Sequence, residues 1–411
     1  MKTRTLIVAA AFMAATSAFA QSYTMQVVLN DGTVHSFDVA DVKELKWTES
    51  ALTLSPDVFN LPDMSIERIA PNLIVSGDNY YVVGGHTTGF DITGVVDRYA
   101  DGAWSIVDNN VCHDAGSVVT LKDGRKLLIG GLGYGYGTGQ SSTVHVFDPA
   151  QGTFTQIGSL NTPRALTHSA TLEGGEVLVV GNWYASASSA EFYDPDKETF
   201  YTVSIPHSTG NCLVFPTKDG GAAVLSCMDN WGNINWSGNY AKFSVAENSF
   251  SEKVAEGLEG FRPLPVEDNY NLEQTVTHDA RNLFVAFDGD NMPAVFAFDQ
   301  QTEKFEYQFP LSLEPVNSEL GERVSYRSTL VVNKEKHLVH AFLCVNGNAS
   351  LYELRTYNYD NGELICSYKV DKIWWGTAVS LLPDGNLLIA GGSPNENNFD
   401  GSAEAYIVKP L

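Results

Sequence analysis

Short apolar runs, each stopped by a tight polar turn and resumed to end on glycine, recur along the chain. The phrase reads "SVVTLKDGRKLLIGG" up to Gly131, "SATLEGGEVLVVG" up to Gly181 and "AVSLLPDGNLLIAGG" up to Gly392. "LIVSGDNYYVVGG", up to Gly85, repeats it with another turn. Two apolar runs joined by an Asp-Gly turn predict a β-hairpin, and self-similarity at a fixed period predicts a repeat architecture. Gly84 to Gly130 spans 46 residues, Gly130 to Gly181 spans 51, and Gly181 to Gly391 spans 210. That last gap holds four further intervals of about 52. Three degenerate copies fill it: "VFPTKDGGAAVLSC", "QTVTHDARNLFVAF" and "TLVVNKEKHLVHAFLC".

A third and a fourth strand follow each copy, as in "SAEFYDPDKETFYTV" and "AVFAFDQQTEKFEYQF". Apolar residues at i, i+3 and i+4 are missing, so helical repeats are excluded. The expected fold is all-β: a seven-bladed propeller of four-stranded blades over residues 51–411. The last blade has only three strands before Leu411. An N-terminal strand should supply its fourth, and "ALTLSP" near Ala51 is placed to do so. Residues 21–50 read as a small appendage, a hairpin turning at Asn30-Asp31-Gly32 followed by a short helical turn.

The blades resemble kelch repeats. "LPDGNLLIAGG" and "SAEFYDP" are especially similar to the propeller domain of the galactose oxidase and glyoxal oxidase family. That resemblance implies copper radical chemistry, with a Tyr-His pair, a tyrosine cross-linked to cysteine and a late histidine around the metal. None of the nine histidines follows a tyrosine, and none lies beyond His340. The copper ligands therefore do not carry over, although Cys112 is an early cysteine. A second resemblance, to kelch-type mutarotases of acidic sugars such as sialic acid, would need an acid/base group and an arginine. Glu273 with Arg164 or Arg327 are candidates by location alone. No G-x-S-x-G elbow or H-E-x-x-H pair is present.

Composition narrows the setting. Lys2 and Arg4, an apolar run from Leu6 to Ala15 and Ala18-Phe19-Ala20 before Gln21 read as a signal peptide over residues 1–20. The expected location is the periplasm or outside the cell, after cleavage near Ala20. Without Lys2 and Arg4, 23 basic residues face 49 acidic ones, a net charge of −26. Such a surface repels nucleic acid and anionic lipid, so neither is an expected partner, and no later segment is long enough to insert in a membrane. Five cysteines are too few for a disulfide scaffold, and no C-x-x-C spacing suggests zinc. Cys212 and Cys227 would face each other across a two-residue Asp219-Gly220 turn. That register puts Pro216 where an N–H is needed, so a shifted register without a bridge is expected.

Strand parity puts the connections between strands 2 and 3, and between blades, on one face of the ring, and the tight turns on the other. We call these the loop face and the turn face. The loop face should carry His113, Asp114, Arg164, His207, Glu273, Arg327, Trp374 and Trp375 around the channel mouth. These residues either hold a polar ligand or bond strand ends to one another. His168, inside a strand, reads as structural. Three successive loops add Tyr134 and Tyr136, Trp183 and Tyr184, and Trp231 and Trp236. Aromatic rings among Asn and Gly suit sugar stacking, or cover neighbouring glycines. Asp288, Asp290 and Asn291 gather oxygens that suit Ca²⁺ or an ordinary turn, and no other metal or cofactor is expected. The expected function is retention of a glycan or an extracytoplasmic protein by a monomer. The alternative is a sugar-converting enzyme at the channel mouth.

Overall fold

The computed structural model describes residues 24–28, 34–38, 52–53, 57–133, 139–182, 188–207, 209–228, 236–264, 271–289, 292–311, 329–344, 352–369, 376–394 and 400–410. The chain forms two units, Met1–Ser50 and Ala51–Leu411. In the first, Thr24–Val28 and Val34–Asp38 pair antiparallel with Val28 opposite Val34. The expected turn at Asn30-Asp31-Gly32 lies outside the described residues. The signal-peptide residues and the expected helical turn lie outside the described residues.

The second unit is a ring of seven blades, each built on four antiparallel strands. Blade 2 is typical, with Ser117–Thr120, Lys126–Ile129, Ser141–Asp148 and Thr153–Arg164 in that order from the axis outward. First strands of neighbouring blades touch, which puts them around the channel. Strand alternation then decides what each blade faces. Leu127 and Ile129 pack on Val177 and Val179 of blade 3, while Leu128 packs on Ile74 and Val83 of blade 1. The same rule joins blade 7 to blade 1 through Leu388, Ala390, Leu73 and Val82, which closes the ring.

The paired glycines explain themselves at the ends of second strands. A Cβ on Gly130 would lie 2.6 Å from the Arg164 carbonyl oxygen, and one on Gly131 2.5 Å from that of Asp114. Gly131 N also donates to Arg164 O at 2.7 Å. The pair is where one blade's backbone meets its own first-strand approach and that of the next blade, and only glycine leaves room at the positive φ both adopt.

Three expectations are corrected in detail. The fourth strand of blade 7 is Asp57–Asn60, pairing Phe59 with Ile407, whereas Leu52–Thr53 of "ALTLSP" run parallel to Leu364–Lys369 as a fifth strand of blade 6. The first strand of blade 5 is Arg262–Leu264, and not the segment from Gln274. It resumes only at Val276 opposite Asn282, after an excursion ending in a 3-10 turn at Leu272–Thr275 capped by Asn271. Glu273 therefore sits beside the tight turns, on the face opposite to the one expected. Cys212 pairs with Ser226, in a shifted register that puts Pro216 opposite Ala222 beside the bonded Thr217–Gly221 pair. Cys212 and Cys227 are free and buried, as expected. Among the described residues no helix is long and apolar enough to cross a membrane.

Candidate functional site

Arg68, His113 and Arg164, which approach the first strands of blades 1, 2 and 3, are buried and bonded within the ring. In blade 1, Arg68 is fully buried and donates to Gly84 O at 3.0 Å, Val95 O at 2.6 Å and Asp97 Oδ2 at 2.5 Å. In blade 3, Arg164 is buried in the same way and reaches Gly181 O at 3.2 Å, Ser189 O at 2.8 Å and Glu191 Oε1 at 3.3 Å. Burial pushes both guanidinium pKa values down, against the pull of the paired carboxylate.

His113 is the same device in blade 2. Its Nδ1 lies 2.7 Å from Gly130 O and its Nε2 2.8 Å from His145 Nδ1. A carbonyl only accepts, so Nδ1 carries the proton. In the neutral ring Nε2 then accepts from His145 Nδ1–H. Burial, reinforced by the neighbouring His145, brings the His113 pKa to about 3, so the ring is neutral. Asp97, His145 and Glu191 occupy one register, opposite Val82, Leu128 and Val179, each two residues before the glycine. Two residues past each clamp, Ala70, Ala115 and Leu166 all take φ near +50° (50°, 51° and 53°), so the backbone bend repeats too.

Asp114 is buried against His86, Oδ1 to Nδ1 3.1 Å. His168 Nε2 lies 3.0 Å from Asn211 Oδ1, and burial holds its pKa at about 4, in keeping with a structural role. Thus His113, Asp114 and Arg164 point into the protein and bond strand ends to one another. Arg68 belongs with them. Its sequence signal was its distance from Gly84, which nearly matches that of Arg164 from Gly181.

Among the described residues, cavities open on both faces. One, of about 460 Å³, is the turn-face end of the channel and draws lining residues from blades 1, 2, 5, 6 and 7. Here the Glu273 carboxylate accepts from Thr120 N at 2.7 Å and Thr120 Oγ1 at 2.6 Å, with Lys126 Nζ at 3.6 Å. Glu273 and Arg164 are therefore parts of different faces.

The other cavity, of about 620 Å³, lies on the loop face between blades 4 and 5. Trp236, Phe261, Arg262, Phe287, Glu259 and Asp288 line it. Arg262 stands over the Phe287 ring, 5.7 Å from its centroid, which fixes the cation beside an aromatic wall. Val254, 66% exposed, forms an apolar edge. Asp288 closes a turn by accepting from Met292 N at 2.9 Å. Phe261 and Arg262 were not singled out from the sequence. Their only signal was the polar, Pro-ended connection "EGLEGFRP" between two blades. Tyr134, Tyr136, Trp183, Tyr184, Trp231, Trp374, Trp375, Arg327, Asp290 and Asn291 lie outside the described residues.

No family model matches the chain. No curated protein matches it either. Among solved structures, a fungal alcohol oxidase of the AA5 family, in complex with copper, superposes with a TM-score of 0.59 at 12% identity, over 87% of this chain and 77% of that one. The likeness is one of fold. The protein is a propeller similar to those of the galactose oxidase group, and the donor set of that group's metal is a separate matter. His86, His113, His168 and His340 are buried and each held by a protein partner, and His340 bonds Thr356 Oγ1 at 2.9 Å. With no Tyr-His pair and no late histidine in the sequence, the residues present do not fit that copper site.

Proposed function

We propose that the protein is an exported propeller of the kelch type that retains a glycan on its loop face without converting it. One observation carries the reading, the cavity between blades 4 and 5. Its size suits a sugar unit. Trp236 and Phe261 offer faces for the apolar side of a pyranose, while Arg262, Glu259 and Asp288 offer the hydrogen bonds that fix hydroxyl groups. Export rests on the leader-like first twenty residues, and the acidic surface suits a soluble exported protein. For the mutarotase alternative, Arg164 is engaged by Glu191 and Glu273 opens on the turn face, so the Glu273–Arg164 pairing has no support, and Arg327 lies outside the described residues.

The test is glycan-array binding of the purified protein, with and without Ca²⁺, followed by titration of any retained glycan. Trp236→Ala should weaken binding at least about tenfold, measured well below the variant's own melting temperature because Trp236 also packs against the core. Failure to retain any glycan, or faster anomerisation of an acidic sugar in the presence of the protein, would overturn the proposal.

A further inference from the structure

Three tight turns meet on the turn face where blade 5 adjoins blade 6. The first holds His278, in the turn closed by Ala280 N on Thr277 O at 3.2 Å. The second holds His337, in the left-handed conformation at φ 55°. The third holds Asp360, in the turn closed by Gly362 N on Asn358 O at 2.9 Å, and Tyr359 N ties it to His337 O at 3.1 Å. A nitrogen from each imidazole and one Asp360 oxygen all lie within 4.8 Å of one another.

From this geometry we propose that His278, His337 and Asp360 bind a divalent ion of the zinc class, which staples blade 5 to blade 6. Two imidazoles and one carboxylate form a donor set that suits zinc and its neighbours, with water in the fourth position. Calcium, which takes six to eight oxygens, is not served by it. Tetrahedral bonds of about 2.0–2.1 Å separate donors by roughly 3.3 Å. The three side chains are exposed or half-buried, so rotation about their own bonds closes the remaining distance.

The surroundings are those of a prepared ligand pair. The two imidazole rings stand 4.3 Å apart at 34°. Buried Tyr359 backs them, its ring 5.4 Å from His337 and 5.8 Å from His278. Tyr359 Oη donates to Lys334 O at 3.4 Å and accepts from His278 Nδ1 at 2.7 Å. That bond orients the ring and leaves Nε2 as the free lone pair, the usual outer support of a metal-bound histidine. Asp360 Oδ2 sits 2.5 Å from His337 Nδ1 and holds the second ring in the same way until an ion arrives.

The site is independent of the glycan cavity, which lies on the other face. It is tested on the full chain after treatment with a chelator. Titration with Zn²⁺ followed by calorimetry should give one equivalent per chain, with a raised melting temperature that EDTA reverses. Co²⁺ should give a visible absorption band of low coordination number, and Ca²⁺ should do nothing. His278→Gln, at an exposed position, and His337→Asn, which tolerates the left-handed backbone, should each melt as the parent does without metal and bind Zn²⁺ at least about tenfold more weakly. Absence of Zn²⁺ binding, or binding unchanged in both variants, overturns the assignment; the second result puts the ion elsewhere.

Discussion

Blades 1 and 3 secure the approach to their first strands with an arginine, and blade 2 does it with a histidine. Arg68, His113 and Arg164 meet the same carbonyl of the strand-2 glycine and the same register position on strand 3. What differs is the electrostatics. The arginines are buried with a carboxylate and are held by the pairing, so either partner alone would be an uncompensated charge. The histidine is buried neutral against a second neutral imidazole, and acid threatens it instead. A repeat can thus keep one geometry while exchanging the chemistry that enforces it, and the exchange decides which conditions open that part of the ring.

The largest effect should come from splitting an ion pair. Arg68→Ala or Arg164→Ala should destabilise the protein by about 3–5 kcal/mol, read from the urea midpoint, because Asp97 or Glu191 is left buried and alone. A loss under about 1 kcal/mol for both would mean that these pairs do not distinguish blades 1 and 3 from blade 2.

Next in size is the response of blade 2 to acid. The folded His113 pKa of about 3 lies below the ordinary 6.5. As pH falls through 6.5 the unfolded chain takes up a proton that the folded chain refuses, so stability falls with pH until about 3. At 1.36 kcal/mol per unit, the drop from pH 6.5 to 5 attributable to His113 is about 2 kcal/mol. His168 and His340, each with a pKa brought to about 4 by burial, act in the same direction. In His113→Gln the stability difference between pH 7 and pH 5 should shrink by about 2 kcal/mol. An unchanged difference would refute the neutral assignment.

Smallest is the link between the two kinds of blade. Asn72 Nδ2 donates to His113 O at 2.7 Å, a bond from blade 1 to blade 2. Asn72→Ala should cost about 1–2 kcal/mol, seen as a lowered melting temperature, since a buried carbonyl loses its donor. No change would show that water replaces the bond.

The fold was legible because its cause is local and repeated. Alternation in short strands, Asp-Gly turns and closing glycines are each set by the backbone needs of a single blade, and seven copies reinforce one another. Blade 5 resisted because its first strand is interrupted: the segment that looks most like the repeat phrase, around Gln274, supplies only the Val276–Asn282 bridge, while Arg262–Leu264 pair with Val285–Phe287. Closure of blade 7 was foreseeable as a need. Which residues meet it was not, since Leu52–Thr53 and Asp57–Asn60 lie a few residues apart and pair with different blades.

For the candidate sites the division is sharper. A sequence displays which polar and aromatic groups flank the strands, and it named Trp236 among the residues of the loop face. It says nothing of which way a side chain turns, so for His113, Asp114 and Arg164 it left open a polar ligand or bonds between strand ends, and their buried partners favour the second. It cannot display the meeting of His278, His337 and Asp360 either, because residues far apart in the chain become neighbours only when blades 5 and 6 stack. The sequence by itself determined the propeller, its glycines and the absence of the copper ligands, all properties of residue type and spacing. The tertiary structure alone decided which polar groups are enclosed and which remain open, because enclosure depends on blades packing against one another.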